Sequence, residues 1–194
     1  MTNMRAVSLR SRTHWLAPLV MVGLWTACGD GSLVHIDIDG SDKVEVRGGN
    51  ALEDLVGDLG FDSFTNINIV DSQKLKNQGV EPGDISTARL VSFELELLEP
   101  EDGDLSFIDS FEIWVESPGL EPKLIAEAQD FPDGETYVSF DVMDVELVDY
   151  VVSESMTFST DISANSPRED SIVQASYVID VGVTLQGAKN QACN

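Results

Sequence analysis

Along most of this chain apolar and polar residues alternate one by one, a pattern that dictates half-buried β-strands. The sharpest case runs from Arg89 to Leu97. Val91, Phe93, Leu95 and Leu97 take one face, and Ser92, Glu94 and Glu96 take the other. The longest is the last, with Val173, Ala175, Tyr177, Ile179, Val181 and Val183 on one face. Such clean alternation means one wet face and one buried face, which favours antiparallel pairing.

Shorter segments repeat the pattern. Val34, Ile36 and Ile38 alternate with His35, Asp37 and Asp39, and Val44 and Val46 follow. Gly40 between them is read as the turn of a hairpin. Thr65, Ile67 and Ile69 form another segment, as do Phe111, Ile113 and Val115. Leu124 to Ala128 reads as a short strand, and Val138, Phe140 and Val142 as one more inward face. Met156, Phe158, Thr160 and Ile162 alternate again. Between strands, helical spacing and caps predict a helix from Asn50 to Gly60 and a short one capped by Asp71 or Ser72 and ending at Gly79. A third, capped by Asp144, carries Leu147, Val148 and Val151. The expected fold is mainly β: an antiparallel β-sandwich of about nine strands with two or three short helices. A barrel is the alternative. The expected organisation is a leader over 1–27, a spacer over 28–32, a single domain over 33–186 and a polar tail over 187–194.

Charge narrows the function classes. The chain has 35 acidic residues against 11 lysines and arginines. Removing the first 27 residues takes away Arg5, Arg10 and Arg12 and no acidic residue. That leaves 8 basic against 35 acidic side chains, a formal charge of −27. Such a surface repels phosphate backbones and anionic lipid, which excludes nucleic-acid partners and electrostatic membrane docking.

The leader itself has a basic start and an apolar run, Trp15 to Ala27, of 13 residues. A transmembrane helix needs roughly 20, so this run reads as a secretory signal. It ends Leu24-Trp25-Thr26-Ala27-Cys28-Gly29. Here the chain resembles bacterial lipoprotein precursors, whose lipobox places small residues before a cysteine. Thr26, Ala27 and Cys28 match; Trp25 stands where that family has Leu. The resemblance implies cleavage before Cys28, acylation of that residue and attachment to the membrane through lipid. Gly29 after the cysteine implies sorting to the outer membrane. The alternative for Cys28 is a disulfide with Cys193, the only other cysteine. The spacer reaches on the order of 14 Å, so the domain is expected to ride close to the bilayer.

Few residues suggest chemistry. After processing, His35 is the sole histidine, which leaves no Cys or His zinc set and no supported nucleophile–base pair. The expectation is a non-enzymatic binding or structural lipoprotein of the cell envelope, with a protein or glycan partner. Two alternatives remain. One is a calcium-dependent adhesion or assembly domain, since three acidic turns offer hard oxygen ligands. These are Asp37, Asp39 and Asp42; Glu99, Glu101, Asp102 and Asp104; and Asp130, Asp133 and Glu135. The first is no EF-hand loop, because Asp42 stands where that motif needs Gly and Gly48 where it needs Glu. The other alternative is a carboxylate-based, glycosidase-like hydrolase. Trp114, between Glu112 and Glu116, is either a contact aromatic or a cross-strand packing residue.

Overall fold

The structure, a computed structural model, describes residues 32–49, 64, 67–153 and 155–184. Among the described residues eight strands run in order: β1 (Ser32–Val46), β2 (Ile85–Glu99), β3 (Ile108–Glu116), β4 (Lys123–Ala128), β5 (Tyr137–Ser139), β6 (Asp141–Val142), β7 (Thr157–Ala164) and β8 (Ser171–Thr184). Two short helices accompany them, α1 (Gln73–Asn77) and α2 (Val148–Val151), with a 3-10 turn at Pro82–Asp84. The strands form two four-stranded antiparallel sheets, β1-β8-β2-β5 and β6-β4-β3-β7, packed as a sandwich. We call these the long-strand sheet and the short-strand sheet. The leader, Cys28, the expected helix over Asn50–Gly60, Cys193 and the tail lie outside the described residues. The first strand begins at Ser32, one residue inside the expected spacer.

The core lies where the inward faces of both sheets meet. Phe93, Leu95, Ala175 and Ile179 come from the long-strand sheet, and Phe111, Ile113, Ile125 and Phe158 from the short-strand sheet. Aromatic edges join the layers. Phe140 stands 5.0 Å from Phe93 and 5.4 Å from Phe111, centroid to centroid, and Phe158 stands 5.1 Å from Tyr177. All three contacts are edge-to-face, the arrangement that ring quadrupoles favour.

Four local expectations are corrected. There is no hairpin at Gly40; β1 crosses it without turning and pairs with β8 along its whole length. Gly40 lies opposite Tyr177, whose ring fills the space a Cβ would need, 2.5 Å from it. Glycine in a strand here marks close approach of a neighbour, not a turn. The parity of the apolar residues agrees, since 34, 36, 38, 44 and 46 share one face.

The face of β2 is the second correction. Val91 is 56% exposed, and Leu90 takes the inward place instead. An irregularity in the β2–β8 ladder between Leu90 and Ser92 inserts one residue and reverses the alternation. Third, the segment through Val138, Phe140 and Val142 is not one strand. Its first part pairs with β2 in one sheet and its last part with β4 in the other. Phe140 occupies the corner between them. Fourth, Asp144 does not cap α2. It pairs with Arg89, while the Glu146 carboxylate accepts the Ala88 amide at 2.7 Å and the Leu147 amide at 3.2 Å. Of the expected segment Thr65–Ile69, Thr65 lies outside the described residues and Ile67 forms an isolated bridge with Met156. The short helix before Gly79 is as read: Ser72 accepts the Leu75 amide, and Gly79 follows at φ +62°.

Candidate functional site

Turns at one end of the sandwich bring two of the three acidic clusters together. The turn after β2 closes with the Gly103 amide on the Pro100 carbonyl at 3.1 Å. The turn after β4 closes with the Glu135 amide on the Pro132 carbonyl at 3.2 Å, and Gly134 sits there at φ +83°. The two are tied by backbone: the Leu105 amide donates to Glu135 at 2.9 Å, and Leu97 to Thr136 at 2.7 Å.

Asp104 completes the tie. Its carboxylate accepts the Ser106 hydroxyl at 2.6 Å, the Ser106 amide at 3.0 Å and the Gly134 amide at 3.0 Å. The Ser106 hydroxyl, then the Gly134 and Ser106 amides, hold this carboxyl below its ordinary value. Asp104 is therefore an acceptor committed to its own loops.

These turns and the β7–β8 loop border a cleft of about 530 Å³. Asp102, Asp104 and Asp133 line it from the acidic turns, and Asn165, Arg168 and Glu169 from the β7–β8 loop. Phe107, Pro100 and Pro167 add apolar wall. The loop is anchored to the end of β1, where the Gly48 amide donates to Asp170 at 2.8 Å and the Gly49 amide to Pro167 at 3.1 Å. Asn165 also donates to Asp109 at 3.1 Å. With three aspartates and one glutamate around one arginine, the cleft suits a polar or cationic ligand.

Other members of those clusters lie apart. Glu99 ends β2 opposite Ile172, Glu101 is exposed in its turn, and Asp130 is exposed beyond β4. Glu135 contributes its carbonyl to the tie. The first cluster is dispersed by the continuity of β1. Asp37 and Asp39 face outward, while Asp42 falls on the opposite parity and accepts the Lys43 amide at 2.8 Å. Asp39 pairs with Lys74, which also donates to the Asp37 carbonyl at 2.9 Å. Among the described residues no three Asp, Glu, His or Cys side chains gather as metal ligands.

His35 is exposed and stands 2.8 Å from Asp180 across the β1–β8 ladder. Trp114 is half-buried on the outer face of β3, opposite Leu124 and Ser159, and its Nε1 donates to Glu112 at 3.1 Å. Cross-strand neighbours thus cover part of the ring and leave part of it open. Arg168 and Glu169 carried no periodic or motif signal, and only the fold places them on the cleft.

No helix among the described residues is long and apolar enough to cross a membrane. No protein-family model and no curated protein matches the chain. Among solved structures, a chain of the semi-empty VLP of the giant freshwater prawn Macrobrachium rosenbergii nodavirus, seen by cryo-EM, is similar at 11% identity and a TM-score of 0.27. The match covers 90% of this chain and 94% of that one.

Proposed function

We propose that this chain is a non-enzymatic binding or structural lipoprotein of the bacterial cell envelope, held at the outer membrane by lipid on Cys28. The observation that carries it is the apolar run from Trp15 that ends in Thr26-Ala27 directly before Cys28-Gly29. The position of the domain supports it. Strand β1 starts at Ser32, four residues after Cys28, so the sandwich follows the anchor with almost no tether. Two or three acyl chains hold effectively permanently where one holds only marginally. The binding role draws its support from the cleft, which is open, polar and built from loops rather than from a nucleophile with its base.

Intact mass spectrometry of the protein purified from membranes tests the anchor. The expected species begins at Cys28 and carries the mass of two or three acyl chains. Incorporation of labelled palmitate is expected to vanish in Cys28→Ser and to persist in Cys193→Ser. An unacylated mature form released from the cell, or a Cys28–Cys193 disulfide, overturns the proposal.

A further inference from the structure

The three longest strands, β1, β2 and β8, run between the same two ends of the sandwich. At one end Ser32, where the chain enters β1, lies opposite Thr184 of β8, and Ile85 at the start of β2 lies opposite Val183. At the other end Val46 lies opposite Ser171, and Glu99 opposite Ile172. The cleft belongs to this second end. Pro100 and Asp102 line it from the turn that leaves β2, and Arg168 and Ser171 line it where the chain enters β8. The Gly48 amide on Asp170 and the Gly49 amide on Pro167 fasten the exit of β1 beside it. Strand β1 is 15 residues long. At roughly 3.3 Å per residue, Ser32 and the cleft end stand roughly 45 Å apart.

We propose that the anchored domain stands on its Ser32 end and presents the cleft as its membrane-distal tip, open to polar ligands of the aqueous space and out of reach of lipid headgroups. The proposal rests on the reading of Cys28 as the lipid anchor and deepens it. Ser32 is four residues after Cys28, so acyl chains hold that end of the sandwich at the bilayer. Neither broad side of the sandwich suits an anionic lipid surface. Asp37, Asp39, Glu45 and Glu96 are exposed on the outer face of the long-strand sheet. On the outer face of the short-strand sheet the register aligns four carboxylates: Asp141 opposite Glu127, Glu127 opposite Glu112, and Glu112 opposite Asp161. Like-charged lipid repels both faces, so lying flat costs more than standing on end.

The test is resonance energy transfer in vesicles of phosphatidylethanolamine and phosphatidylglycerol that carry an acceptor dye on their headgroups. The protein is purified from membranes with Cys193→Ser in place, so that an introduced cysteine is the sole free thiol. The donor dye goes on Gly83→Cys, in the 3-10 turn just before Ile85, or on Glu101→Cys, in the exposed turn after β2. Neither position lines the cleft, and a side chain at position 83 meets open space. Thermal melts confirm that both variants fold. Transfer is expected to be several-fold stronger from position 83 than from position 101. Equal transfer from protein that floats with the vesicles, or stronger transfer from position 101, overturns the orientation and leaves the anchor standing. Protein that does not float with the vesicles overturns the anchor, and the orientation with it.

Discussion

The two outer faces of the sandwich arrange their acidic residues differently. On the long-strand sheet and its neighbours, some acidic groups have side-chain partners: Asp39 with Lys74, Asp144 and Glu146 with Arg89, and Asp180 with the His35 ring. The pairs also do structural duty. Lys74 ties α1 to the edge strand β1, and Arg89 ties β2 to the segment before α2. On the short-strand sheet four carboxylates stand in register with no such partner among the described residues. The inner faces show no such contrast, since each supplies aliphatic and aromatic side chains to one shared core. Charge is thus paired where a cation ties α1 to β1 or the segment before α2 to β2, and left without a cationic partner along the in-register row.

If one core serves both sheets, a defect at the corner must weaken both together. Phe140 touches rings from both layers and lies between β5 and β6. Phe140→Ala is expected to cost about 3–5 kcal/mol, the range for truncating a buried aromatic ring. Far-UV and near-UV circular dichroism should then melt in a single, lowered transition. Two separated transitions would break the idea of a common interior.

The next largest effect belongs to the long-strand sheet alone. At Gly40 a Cβ would sit 2.5 Å from the Tyr177 ring, and that ring is wedged edge-on against Phe64 and Phe158. It cannot swing away without disturbing the core, and burial also raises the pKa of its phenol. Gly40→Val is expected to cost about 1–3 kcal/mol, as overpacking does. Gly83→Ala, with open space around it and an ordinary φ, should be near neutral by the same denaturant titration. A neutral Gly40→Val would mean that the close approach of Tyr177 is not needed.

These positions also show what the sequence could convey. The period-two pattern is a local signal, so the sandwich class, the inward faces of β3, β7 and β8, and the α1 cap were all legible. What depends on partners was not. Gly40 reads as a turn until Tyr177 is known to lie across from it. Val91 reads as core until the β2–β8 ladder is known to take an extra residue there. The segment Tyr137–Val142 reads as one strand because its alternation is unbroken, yet it changes sheet at Phe140. The acidic turns were visible, but their joining through Asp104 and Gly134 rests on contacts 30 residues apart. The row Asp141–Glu127–Glu112–Asp161 was wholly hidden. Each member looked like an ordinary solvated residue, and only register makes them neighbours.

The smallest effects carry the sharpest contrast, because they should differ in sign. Glu112→Gln removes one charge from between two like charges while keeping an oxygen for the Trp114 indole. It is expected to stabilise the protein by about 0.5–1 kcal/mol, less at high salt. Asp39→Asn removes a carboxylate that has a partner and is expected to destabilise by less than about 1 kcal/mol, since the Asp39–Lys74 pair is exposed. Acid should separate the two further. The Lys74 hydrogen bond, then its charge, holds the Asp39 carboxyl below its ordinary value. A carboxyl with a lowered folded-state pKa contributes stability that is fully present above the unfolded value and lost as pH falls through the folded one. The deficit of Asp39→Asn relative to the parent should therefore be constant from neutral pH down to about 5 and close in the region below 4. Melting curves of both variants and the parent at neutral pH and through that acid range decide the matter. Shifts of the same sign at neutral pH would show that both faces respond to total charge alone. The in-register row would then have no special standing.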